Sequence, residues 1–209
     1  MIYAEYILIC IAVPLAMTAL FIKGSARRFI LAFLAGMAAC LLSSYLGGFA
    51  EYVSQMSRED VSIFISPVTE EILKLLPLLF YLYIVDVKSD GILLVSGGIG
   101  AGFATFENCC YILASDSLSL YYVLIRGMAV GVMHLVTMIL LAMVVLLFRR
   151  HRIFSYVGIL GALSMSVTVH ALYNLLVSRP GKPSYIGFSL PLLLAVILYR
   201  QYQIKINSK

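Results

Sequence analysis

Pro67-Val-Thr-Glu70-Glu71-Ile-Leu-Lys74 sets a proline, two adjacent carboxylates and a lysine inside an apolar run at about 61–85. At ~1.5 Å per helical residue, a run of that length crosses the ~30 Å hydrocarbon core of a bilayer. An ionised Glu or Lys near mid-span costs ~2.5–3.5 kcal/mol on insertion scales, whereas a neighbouring Leu returns only ~0.3–0.6. Such a cluster survives only where the fold uses or neutralises it. The run is therefore read as one helix of a membrane bundle with a polar interior.

The rest of the chain supports that reading. Of 209 residues, 62% are hydrophobic and 12% charged, with a mean hydropathy of +1.01; a soluble domain carries roughly 25% charged residues. Six more apolar segments stand at about 2–22, 28–50, 91–114, 118–148, 154–178 and 184–203. The expected fold is all-α: a polytopic bundle of about seven transmembrane helices, forming a single integral-membrane domain over 1–209. The segment at 118–148 is long for one span and is expected to begin as an interfacial helix around 117–124. Cys10, Cys40, Cys109 and Cys110 all fall inside spans without ligand spacing, so they read as apolar fillers.

A net charge of +5 invites a nucleic-acid reading, but the basic residues follow membrane topology instead, and no nucleic-acid partner is expected. Lys23, Arg27, Arg28, Lys88, Arg149, Arg150, Arg152, Arg200, Lys205 and Lys209 fall on one side of the predicted bundle. Arg58, Arg179 and Lys182 fall on the other, beside Glu51, Glu59, Asp60 and Asp116. The positive-inside rule then places the N-terminus outside and the C-terminus inside. The first segment lacks the basic start and cleavage site of a signal peptide, so it is expected to stay as a span. His151 belongs to a basic loop and reads as solvated.

Removing the loops leaves Glu70, Glu71, Lys74, Glu107, Arg126, His134 and His170 at membrane depth. Counted from the outer end of each span at ~1.5 Å per residue, Glu70, Glu107, His134 and His170 lie at similar depths, roughly 13–18 Å. Stray charges would scatter; these converge on a polar cavity in the outer half of the membrane. Ser66-Pro67 is expected to break or restart the third helix, because proline lacks an N–H and clashes with the preceding turn. Lys74 is four residues from Glu70 and three from Glu71, within reach of either. One lysine cannot neutralise both, so a proton shared between the two carboxylates is expected. Gly97, Gly98, Gly100 and Gly102 suit close helix packing and lead into Glu107-Asn108, with Tyr111 a turn beyond. Arg126 lies two turns before His134 and is expected to pair with a carboxylate. His170 and Asn174, at i and i+4, share a face and suit orienting a water, holding an oxyanion or ligating a metal.

Taken in order, Glu70-Glu71-x-x-Lys74, Gly102-Phe103-Ala-Thr-Phe106-Glu107-Asn108-x-x-Tyr111, Arg126 with His134, and His170-x-x-Tyr173-Asn174 resemble the PrsW family of intramembrane proteases. A more distant likeness is to the CAAX prenyl protease and bacteriocin-processing family. Against that family's pattern, Leu75 stands in place of an arginine and Glu107 in place of a histidine. The PrsW resemblance implies a multi-pass protein of the cell membrane that makes the first cut in a single-span membrane protein such as an anti-sigma factor. It implies Glu70, Glu71 and His134 as essential residues, and His170 with Asn174 as oxyanion stabilisers, within core helices at 61–178.

The chemistry expected is peptide-bond hydrolysis by water activated by Glu71 or the Glu70/Glu71 pair. Lys74, Asn108, Tyr111 and Arg126 are supporting residues. A zinc version would use Glu107, His134 and His170, a His₂Glu set with an open position; a metal-free glutamate mechanism fits the same residues. The rival class is a proton- or ion-coupled transporter, since buried Glu and His chains also relay protons. Transporters of that kind commonly carry paired broken helices, and no second Pro-Glu-Glu segment exists here.

Overall fold

The computed structural model describes residues 4–84, 89–115, 119–148 and 152–207. Lys88, Asp116, Arg149, Arg150, His151 and Lys209 lie outside the described residues, as do the side chains of Arg152 and Lys205. The chain is a polytopic helical membrane bundle: α1 (Ala4–Phe21), α2 (Gly24–Ser54), a short α3 (Arg58–Asp60), a π-helical turn (Val61–Ile65), α4 (Ser66–Ile84), α5 (Ser89–Ala114), α6 (Leu120–Phe148), α7 (Arg152–Val177) and α8 (Lys182–Asn207). Among the described residues six helices are long and apolar enough to cross a membrane: α1, α2, α5, α6, α7 and α8. α4, at 19 residues, is comparably long but carries Glu70, Glu71 and Lys74. It packs among α2, α5 and α7, which shield that charge from lipid.

Close backbone approach positions the site. α2 and α5 form the most extensive helix pair, because Gly36 and Gly102 leave room for backbone. A Cβ at Gly36 would strike the Ile99 carbonyl, and one at Gly102 the Phe33 carbonyl. On its other face, α5 meets α6 at Gly100, where an added Cβ would stand 2.8 Å from the His134 carbonyl oxygen. Small residues let membrane helices pack this tightly, since lipid tails compete for any looser contact. The glycine run thus draws α6, and with it His134, against α5.

The third predicted span departs from expectation at Pro67. The helix is not broken there; it runs on from Arg58 to Ile84 through the π-helical turn. Ser57 caps its start, accepting from the Asp60 N–H at 3.1 Å and donating to Asp60 Oδ2 at 2.7 Å. Within the wide turn, the Ser66 N–H reaches the Val61 carbonyl five residues back. In that register Ser62 O would look to residue 67, and proline has no N–H to offer. Asn174 Nδ2 from α7 supplies the missing donor at 2.8 Å. The proline therefore produces a local widening that a distant side chain completes.

α6 is a single helix from Leu120, so the expected interfacial start at 117–124 is not a separate element at its described residues; 116–118 lie outside the description. The opposite end of the bundle from the carboxylates is apolar. There Leu75, Leu78, Ile92, Ile99, Met138 and Leu141 form a continuous buried cluster.

Candidate active site

Glu70 and Glu71 are adjacent, so they leave α4 about 100° apart and meet different neighbours. Glu71 is fully buried: its Oε1 accepts from Lys74 Nζ at 2.6 Å and contacts His170 Nδ1 at 2.8 Å. Glu70 points the other way and lines two cavities. Its Oε2 is buried without a hydrogen-bond partner and lies 3.7 Å from His170 Nε2. Lys74 thus pairs with Glu71 at i+3. The i+4 alternative with Glu70 is not formed.

Lys74, itself fully buried, ties the cluster together. Its ammonium carries donors only. Besides Glu71 it reaches His134 Nδ1 at 3.0 Å and Thr137 Oγ1 at 3.2 Å, and it lies 5.1 Å from the Phe103 ring centre. A donor at His134 Nδ1 makes that nitrogen the acceptor, so Nε2 carries the ring proton. Nε2 then donates to Glu107 Oε2 at 2.6 Å. Glu107 Oε1 accepts from Arg126 at 3.2 Å, and Arg126 also donates to Asn108 Oδ1 at 2.7 Å while stacking 3.5 Å from the Tyr111 ring centre. The supporting residues expected from the sequence therefore form one continuous chain. It runs from Tyr111 and Asn108 through Arg126, Glu107, His134 and Lys74 to Glu71 and His170.

Four helices bring these groups to one place. His134 and His170, from α6 and α7, approach edge to face with ring centres 5.1 Å apart. One ligand atom each from Glu70, His134 and His170 lie within 4.8 Å of one another, the one such group among the described residues. The sequence points to Glu107 as the carboxylate of a metal set; the structure puts Glu70 there. Glu107 is held off by Arg126 and His134.

The residues fit a cation. With Nδ1 turned to Glu71, His170 presents the Nε2 lone pair toward the unpartnered Glu70 oxygen, so two acceptors face each other with no donor between them. A carboxylate behind a ligating histidine is the usual way its ring is oriented toward a metal. Charge argues likewise. Three carboxylates, Glu70, Glu71 and Glu107, stand beside two cationic side chains, Lys74 and Arg126. A buried excess of that kind calls for a cation or a proton.

Asn174 departs from its expected place. One of its amide protons is taken by the Ser62 carbonyl, although the residue still lines the larger cavity. Thr137 was missed, yet its signal was present: three residues after His134, it shares that histidine's face and receives Lys74. Arg58, Ser62 and Ser66, which line both cavities, carried no sequence signal. The cavities, of about 810 and 580 Å³, share Glu70 and Glu107 and flank them from opposite sides.

A helical membrane bundle enclosing a Glu/His cluster beside open cavities has the architecture of an intramembrane hydrolase. The family model described as PrsW family intramembrane metalloprotease matches residues 23–200, and the chain belongs to that family. It is therefore a multi-pass membrane peptidase working in a lipid bilayer. Comparison with the curated proteins and with the solved structures gives no match.

Proposed function

We propose that this protein makes a first cut in single-span membrane proteins, an anti-sigma factor being the model substrate, at a centre built on Glu70, His134, His170 and Glu107. The observation that carries the proposal is the grouping of Glu70, His134 and His170 with two opposed, donorless acceptors. The catalytic core spans 61–178 within a single domain of 1–209. α4 counts as the seventh span, with the N-terminus outside, the C-terminus inside and both cavities opening outward.

Glu70, His134 and His170 would hold the metal, His134 by exchanging its Nδ1 contact with Lys74 for the ion while Nε2–H stays on Glu107, and zinc suits the His₂Glu donor set. When bound, it supplies Lewis acidity toward water and the scissile carbonyl. The chain's own residues do the rest. Glu107, partly exposed and lining both cavities, accepts the proton of the attacking water and passes it to the leaving amine. Arg126 holds the Glu107 carboxylate in place. Glu71 orients His170, Glu107 orients His134, and Lys74 neutralises Glu71. Asn174 keeps a second N–H for the oxyanion. Glu71 thus moves from the general base expected by sequence to a positioning role, since its Oε1 is engaged and it has no exposure.

The test uses purified protein in detergent and a tagged single-span reporter. A chelator should abolish cleavage, and added zinc should restore it. Glu70→Gln and His134→Ala should each lower cleavage by about a thousandfold and lose bound metal by elemental analysis. Wild-type cleavage by both variants would overturn the assignment.

A further inference from the structure

The smaller cavity lies between α2, α4 and α5, with the outer part of α1 (Ala4, Ile7) as its rim. At about 580 Å³ it falls in the ~300–1,000 Å³ range of ligand sites. Its α2 wall consists of Cys40, Ser43, Ser44, Gly47 and Gly48, ending at Glu51. The two glycines differ from Gly36 on the same helix, which packing requires. A Cβ at Gly48 would meet nothing within 4 Å, and one at Gly47 only Ser66 Oγ at 3.9 Å. No contact among the described residues accounts for glycine there; the consequence is empty space beside Glu70.

The α2 wall offers no free hydroxyl donor although two of its residues are serines. Ser43 donates to the Cys40 carbonyl at 2.8 Å and Ser44 to the Leu41 carbonyl at 2.7 Å, so both hydroxyl protons are spent on their own helix. Phe106 and Leu113 of α5 face them across the cavity. Charged groups are confined to Glu51 and Arg58 toward the ends of α2 and α3 and to Glu70 and Glu107 at the catalytic centre.

We propose that this cavity is the substrate side-chain subsite, and that it takes a bulky apolar residue lying within two positions of the scissile bond. This deepens the proposed function and rests on it: the subsite selects only because Glu70 and Glu107 form both its inner edge and the centre where the bond is cut. The larger cavity, on the far side of the same two carboxylates, receives the chain beyond the bond.

The experiment uses single-span reporters that differ only in the residues flanking the cut, Phe in one series and Ala in the other. Purified wild type, Gly47→Leu, Gly48→Leu and Glu70→Gln are compared in detergent, with cut sites read by mass spectrometry. Wild type should favour Phe over Ala. Each leucine variant should lower the Phe-to-Ala cleavage ratio about tenfold or more, the range one or a few methylenes command in an apolar pocket. Should a leucine variant fail to fold, Gly47→Ala should still lower the ratio in the same direction. An unchanged ratio in folded variants, with Glu70→Gln inactive, overturns the subsite and leaves the catalytic centre standing. Activity in Glu70→Gln overturns the centre itself.

Discussion

α4, α5 and α6 each carry two kinds of surface, and the two ends of the bundle differ accordingly. At one end Leu78, Ile99, Met138 and Leu141 are fully buried in one apolar cluster. A few turns along the same helices, Glu70, Glu107 and His134 meet around cavities. The apolar end is built almost wholly of hydrocarbon side chains, so many of about the right volume would serve it. The charged end tolerates fewer substitutions of that kind, because Lys74, Glu71, Arg126 and Glu107 are each held by a named partner a few ångströms away.

The sharpest way to break this comparison is to remove the cation at its centre. Lys74→Met should destabilise the protein by about 3–5 kcal/mol, since it leaves Glu71 buried without its ion-pair partner. Glu71→Gln in the same chain should recover much of the loss, and thermal unfolding of both in detergent checks it. At the apolar end, Leu78→Ala should cost about 2–3 kcal/mol. The low end of the usual range applies because the lost contacts compete with lipid, not water. Here no second substitution among charged residues should compensate. Asn174→Leu should cost least in stability, about 1–2 kcal/mol, by orphaning the Ser62 carbonyl of the π-helical turn. Cleavage should fall more than that loss alone explains, because the same residue is assigned to the oxyanion. If activity follows stability alone, the oxyanion role is wrong.

Much of this was legible in the chain. Hydropathy gave the helices, and the cost of burying charge singled out the residues that cluster. Four motifs in order pointed to the family. The partnerships were less legible. Residues three and four apart on a helix lie on nearly the same face, so spacing alone leaves Lys74 free to choose Glu70 or Glu71. His170, 99 residues away, decides it by drawing Glu71 inward beside the lysine. The same rotation exposes Glu70 to the cavities and groups it with both histidines, whereas Glu107 reaches His134 alone. Pro67 likewise looks like a break when only local geometry is considered, but a donor from α7 allows the helix to continue.

The sequence by itself determined that this is a membrane bundle and which side chains lipid would reject, because transfer energies depend on residue type and run length. Only the tertiary structure decided which acceptor each donor takes, which carboxylate is sealed and which faces the cavities. Those choices depend on how each helix is rotated against its neighbours, and that rotation is set by contacts between residues far apart in the chain.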